Sequence, residues 1–251
     1  MLLRKDDRGV LAIGQQSHAW ISGQLARGWG NERFGAVLPY EEVCLGAEQH
    51  DVGMAAWDLA PTRNPETGLP HSFVEMPLGV HIELWRTGPR LLLSQSRYAA
   101  LLASMHGCRL YEMRDLSRTA APDASKIREF LRRQREFQER LVRSLRADEE
   151  LLARNSQLVW TWDFMSLAVC LDWAPCTAKD VPADDGEVDL ELAPGPGIRR
   201  LIVAPWPFAG HAVTVRCEGR RLKSGYESDD ALAQAFAEAP WETVEFDLVP
   251  G

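Results

Sequence analysis

Lysine is scarce in this chain. Of its 28 basic residues only Lys5, Lys126, Lys179 and Lys223 are lysines, and 36 Asp and Glu bring the net charge to -8. Phosphate neutralisation needs a cationic face, so an acidic chain of this kind is not a general nucleic-acid binder. Cysteine is sparse too: the five residues Cys44, Cys108, Cys170, Cys176 and Cys217 are odd in number, scattered and without a Cys-x-x-Cys pair. That excludes a disulfide framework and a zinc knuckle and fits reduced thiols. No run approaches the roughly 18 apolar residues of a membrane span. Met1-Leu2-Leu3-Arg4-Lys5-Asp6-Asp7 has charges where a signal peptide would need its apolar stretch. The expectation is a cytoplasmic protein with no membrane partner. Also missing are a Gly-x-Gly-x-x-Gly after a strand, a Walker-type loop, a Gly-x-Ser-x-Gly elbow around Ser104 and a helix-turn-helix with a basic face. Their absence leaves dinucleotide, P-loop, serine-nucleophile and DNA-reading chemistries without support.

What is present is an ordinary globular composition, 45% hydrophobic and 25% charged over 251 residues, enough to bury a sizeable core. Apolar spacing predicts a first helix from Gln15 to Trp29, with His18 on the stripe of Ile21, Leu25 and Trp29. A second helix follows Pro39. On it Val43, Ala47, His50, Asp51 and Met54 share one face, and Glu41, Glu42, Glu48 and Gln49 take the other. Asp58 to Pro77 reads as a long loop punctuated by proline and glycine, with the character of a lid or binding loop. His81 stands in a segment that alternates as well as it stacks. Ser96 to His106 reads as a helix stopped by Gly107. The longest helix is expected from Asp123 to about Arg154 on a stripe running from Ile127 to Leu152.

Ser156 to Trp173 leaves almost no polar face and should run through the core, with Asp163 at its centre. Beyond Pro175 four segments are strand-like: Val188–Leu192, Leu201–Val203, Ala212–Val215 and Val244–Leu248, the third and fourth separated by a short helix. The expected fold is therefore mainly α: a helical body over residues 1–175 carrying a small antiparallel β element over 176–251, α+β overall.

Six side chains stand out as candidate metal ligands: His18, His50, Asp51, His81, His106 and Asp163. A lone carboxylate inside an apolar helix costs several kcal/mol unless it is paired or holds a cation, which makes Asp163 the most informative of them. Imidazole and carboxylate together suit divalent Fe, Mn, Zn or Ni, and six such groups suffice for one or two ions. His71 and His211 read as surface or structural residues.

The order His18, His50-Asp51, Asp163 resembles the HD-domain superfamily of metal-dependent phosphohydrolases. His81 and His106 resemble the two extra histidines of its binuclear members. The resemblance covers about residues 10 to 173. It implies a helical bundle in which His18, His50, Asp51 and Asp163 hold a first ion, while Asp51 bridges to a second held with His81 and His106. Binuclear members often read His-Asp-x-Gly-Lys, whereas this chain has His50-Asp51-Val52-Gly53-Met54. A phosphate-binding cation would then have to come from Arg33, Arg63, Arg97 or elsewhere. The expected function is a metal-dependent hydrolase acting on a phosphoester or nucleotide-like small molecule through an activated water, with Asp51 as the catalytic residue. A di-iron oxygenase and a catalytically inactive scaffold stand as alternatives, and the oligomeric state is open.

Overall fold

A computed structural model describes residues 1–223 and 225–251. The chain opens with a hairpin, β1 (Leu2–Asp6) and β2 (Gly9–Ile13), and continues into seven helices: α1 (Gln15–Gly28), α2 (Tyr40–Gln49), α3 (Ala55–Leu59), α4 (Leu78–Leu91), α5 (Arg97–Glu112), α6 (Ala121–Leu145) and α7 (Glu149–Leu171). Strands β3 (Cys176–Ala183), β4 (Gly186–Pro194), β5 (Arg200–Ala204) and β6 (Val213–Leu222) follow, then α8 (Asp229–Glu238) and β7 (Trp241–Pro250). Among the described residues no helix is long and apolar enough to cross a membrane.

The β component is far larger than expected. All seven strands form one curled sheet in the order β1-β2-β6-β7-β5-β4-β3, antiparallel except for the parallel pair β5 and β7. The fold is thus α+β with a substantial mixed sheet. It is not a mainly helical body with a small antiparallel appendage. The N-terminal hairpin accounts for much of the difference, because β2 pairs with β6 at the other end of the chain, Ile13 opposite Gly219. Charges at Arg4-Lys5-Asp6-Asp7-Arg8 obscure two strands of only five residues each, and the run Val10 to Ile13 is buried without alternation. Gly9 makes the turn at φ +120°, where a Cβ would fall 2.4 Å from the Leu222 carbonyl oxygen.

The helical expectations need a second correction. The helix expected from Asp123 to Arg154 is two helices, and the later half of α7 is the segment expected from Ser156. Leu145 and Leu152 lie seven residues apart, so the apolar stripe reads through the turn between them. The break is nevertheless chemically marked: Arg146 takes a left-handed conformation (φ 50°), and the Asp148 carboxylate accepts from the Leu151 N–H at 2.8 Å to cap α7. On α5, Ser96 Oγ accepts from the Ala99 N–H and caps the helix, which runs past the expected stop at Gly107 to Glu112. Gly107 is there for closeness: a Cβ would meet the Trp85 ring at 2.5 Å.

Helices α1 and α7 lie against the concave sheet. Trp29 is the hub of that contact, meeting Phe34, Trp162 and Phe208 edge-on at centroid distances of 5.6, 5.5 and 5.4 Å. On the far side, the turn after α2 packs backbone to backbone on α4 through Gly53 and Gly88. A Cβ on Gly53 would lie 2.4 Å from the Leu84 carbonyl oxygen and 2.9 Å from the Gly88 Cα. Neither atom is a flexible side-chain end, so the clash must be relieved by moving a helix.

Gly53→Ala should therefore destabilise the protein by about 1–3 kcal/mol, the usual cost of overpacking. Gly79→Ala, on α4 but with nothing within 4 Å of its Cβ, serves as the control and should be neutral or slightly stabilising. Thermal unfolding compares the two. Equal melting temperatures would remove the close backbone approach as a constraint on the fold.

Candidate metal centre

Five of the six candidate ligands converge. His18 comes from the first turns of α1, His50 and Asp51 from the end of α2, His106 from the middle of α5 and Asp163 from the middle of α7. Consecutive helical residues point about 100° apart, so a mid-helix His-Asp pair would not aim both side chains at one point. Here α2 stops at Gln49. His50 is its last residue in helical conformation, and Asp51 (φ -100°, ψ 16°) begins a single 3-10 turn. The break lets both groups face α1 and α7.

The hydrogen-bond network sets the tautomers. Ser166 Oγ donates to the Asp163 carbonyl at 2.7 Å, so it accepts from His18 Nδ1–H at 2.9 Å. His50 Nδ1–H donates to the Ala47 carbonyl at 2.8 Å. In the neutral rings both Nε2 lone pairs are thus left facing the carboxylates. His18 Nε2 is 2.7 Å from Asp51 Oδ2, and His50 Nε2 is 3.8 Å from that atom and 3.4 Å from Asp163 Oδ1. His106 Nε2 lies 3.6 Å from Asp163 Oδ2. Among the described residues the one neutral donor to this group is the Gln15 amide, which gives its proton to Asp51 Oδ2 at 3.1 Å. His50 Nε2 is buried and has no hydrogen-bond partner among the described residues.

Acceptors packed face to face in a core demand positive charge. Protons can supply it. Burial opposes a charge on His50, yet Asp51 and Asp163 outweigh that and raise its pKa to about 9. Burial likewise acts to raise both carboxyls. It is overcome at Asp51 by His50 and His18, and at Asp163 by His50, His106 and His18, so both stay below the ordinary aspartate range. His106 goes the other way, lowered to about 4 by burial and by the charge of His50. A divalent cation meets the same demand with one ion. His18, His50 and Asp163 form a possible metal site, their ligand atoms all within 4.8 Å of one another. The orphaned His50 nitrogen is what such an ion would satisfy.

His81 stands apart. Its Nδ1 bonds the Tyr111 hydroxyl, and its Nε2 accepts from Trp85 Nε1–H at 3.1 Å, so both nitrogens are occupied by protein groups. Burial lowers its pKa to about 4, which agrees with a neutral ring. Of the expected phosphate-binding arginines, Arg33 pairs with Asp185 and Arg63 bonds the Tyr226 carbonyl and Asp229, while Arg97 is exposed and bonds Ser144. His71 bonds Thr62 in the long loop, and His211 is exposed.

Three supporting residues escaped the sequence reading. Gln15 lies one helical turn before His18 and Ser166 one turn after Asp163, so helical periodicity applied to the ligands themselves would have found both. Asp58, which accepts from the Gln15 backbone N–H and so fixes the start of α1, had no local signal.

Residues 1–224 match a family model described as Protein of unknown function (DUF3891). No match was found among curated proteins or among solved structures. The resemblance to the HD-domain superfamily is overturned on two counts: the matching family is a different one, and a curled seven-stranded sheet stands where that resemblance implied a helical bundle. The matched segment runs from β1 through β6 and contains His18, His50, Asp51, His106 and Asp163, and the chain belongs to the DUF3891 family.

Proposed function

We propose that this protein is a metal-dependent hydrolase whose centre is built from His18, His50, Asp51 and Asp163. The observation that carries the reading is the set of buried acceptor atoms on these four residues, turned toward one another with a single neutral donor among them. Their nitrogen and carboxylate chemistry suits Fe, Mn, Zn or Ni. A divalent ion bound there would act as a Lewis acid and supply a nucleophilic water near neutral pH. Ser166 orients the His18 ring and the Ala47 carbonyl orients that of His50, the kind of support that metal-binding histidines need. Gln15 holds Asp51 Oδ2, and Asp51 is the residue placed to accept a proton from the water. His106 lines the same space beside Asp163.

With His81 occupied by Tyr111 and Trp85, the described residues offer ligands for one ion rather than two. This favours hydrolysis over a two-iron oxygenase, which needs a second ligand set.

Reconstituted wild-type protein should bind about one equivalent of divalent metal. His50→Ala and Asp163→Ala should abolish uptake, Ser166→Ala should weaken it roughly 10–100-fold, and His81→Ala should leave stoichiometry unchanged. Elemental analysis and competition with a chelating dye read all four. A wild type that takes up no metal under any condition would leave only an inactive scaffold.

Metal added at about 100 times its dissociation constant should stabilise the fold by about 2.7 kcal/mol, because it binds the native state alone. Asp163→Asn should gain almost nothing from the same addition. If differential scanning calorimetry finds equal gains in both proteins, the ion sits elsewhere.

Hydrolysis of generic phosphoesters such as p-nitrophenyl phosphate should proceed without oxygen and with Zn or Mn, since the ion does no redox work. Turnover that requires dioxygen and stops when Zn replaces iron would sink the hydrolase reading.

A further inference from the structure

Arg109 lies on α5 one turn beyond His106, and Trp160 lies on α7 one turn before Asp163. The guanidinium carbon of Arg109 sits 4.3 Å from the centre of the Trp160 ring, and Nη1 donates to Gln157 Oε1 at 2.5 Å. The Trp160 ring in turn lies 5.3 Å, centre to centre, from the His106 ring. Three helical residues advance about 4.5 Å along the axis, so Arg109 is rooted about one turn from a residue lining the centre.

Arg109 is half-buried, yet among the described residues no carboxylate oxygen comes within 4.0 Å of its guanidinium. Asp180 is the acid whose charge it senses, from beyond ion-pair distance. Arg132, Arg133 and Arg135 on α6, by comparison, are exposed and paired with glutamates. A guanidinium carries five N–H donors, and Gln157 takes only one. Stacked on one ring and pinned at one nitrogen, the fork is pre-organised, which is the state in which arginine recognises phosphate bidentately. Solvent, moreover, reaches the centre at Asp163, whose side chain is 11% exposed against 4% or less for His18, His50, Asp51 and His106. Asp163 is also the ligand on the helix that carries Trp160.

We propose that Arg109 is the anion clamp of this centre, and that the substrate is a phosphate ester whose non-bridging oxygens take the free edge of the guanidinium while its phosphorus lies beside His18, His50 and Asp163. The assignment rests on the hydrolase reading. In the reaction the water oxygen bonds to phosphorus as the ester P–O bond breaks. The proton lost by the water ends on the departing alkoxide, and no electrons are exchanged. Trp160 and Gln157 are positioning residues, acting only through Arg109.

The test uses the full chain, metal-loaded and metal-free, with inorganic phosphate as the probe in isothermal titration calorimetry and p-nitrophenyl phosphate as substrate. Arg109→Gln should keep its metal content and melting temperature but bind phosphate at least tenfold more weakly, as expected for loss of a charged hydrogen bond, and its KM should rise more than its kcat falls. Arg109→Lys, which keeps the charge and loses the fork, should recover part of the affinity. It also guards against a glutamine variant that folds poorly. Phosphate binding unchanged in both variants, with metal content intact, would overturn the clamp and leave the metal centre standing. Should the wild type hold no metal, the hydrolase reading falls by itself. Arg109-dependent phosphate binding by the metal-free protein would still support the clamp, and its absence would overturn that as well.

Discussion

Two aspartates held in the core beside three histidines impose a condition on every element around them. A buried carboxylate without compensating positive charge costs several kcal/mol, a large share of the stability of a whole domain. Asp51 and Asp163 escape that cost only while His18, His50 and His106 stay within a few ångströms of them. Those five residues come from four different helices. The packing of α1, α2, α5 and α7 therefore has to be right before the charges are tolerable. The centre is as much a demand on the fold as a product of it.

The sheet answers part of that demand. Its concave face backs α1 and α7, and the aromatic cluster around Trp29 fixes one helix against the other at the level of Trp162, one residue before Asp163. The hairpin β1–β2 leads directly into Gln15 and His18, and its pairing with β6 fastens the start of α1 to the far end of the chain. On the opposite side the contact of Gly53 with Gly88 brings α4 close to the His-Asp turn, and α4 in turn carries Trp85, which packs on Gly107 and lies beside His106.

Much of the convergence was legible in the residues. His18 and the His50-Asp51 pair fall on the inward stripe of amphipathic segments and Asp163 in a segment apolar nearly all round, so their burial was readable. The break after Gln49 that aims both His50 and Asp51 at the centre was not. The apolar surroundings of Asp163 pointed to a charged neighbour. What escaped has physical causes. The hairpin at the N-terminus is short, buried in one strand and heavily charged in the other, which leaves no alternation to read. The seven-residue spacing of Leu145 and Leu152 hides the break at Arg146 because the same stripe continues in α7. His81 shares the helical setting of the other histidines, and only the positions of Tyr111 and Trp85 reveal that its nitrogens are taken. The likeness to the HD-domain superfamily rested on the order of a few polar residues along helices, and such an order carries no information about a sheet.

Ser166 and Asp163 belong to one turn of α7, as Gln15 and His18 belong to one turn of α1. Each of these candidate ligands thus travels with a group that orients part of the centre: Ser166 steers His18 across the helix interface, and Gln15 steers Asp51. The arrangement is reciprocal, each helix supplying the guide for a ligand on another element. Its mechanical consequence is that the centre has few independent degrees of freedom. A rotation of α7 shifts a ligand and a guide together, and the change is passed on to the His18 ring and through it to Asp51. Precision at the centre is in that sense inherited from the helix interfaces, so that a disturbance far from any ligand, at Trp162 or Trp29 for instance, would be felt as a collective misalignment rather than as the loss of one contact.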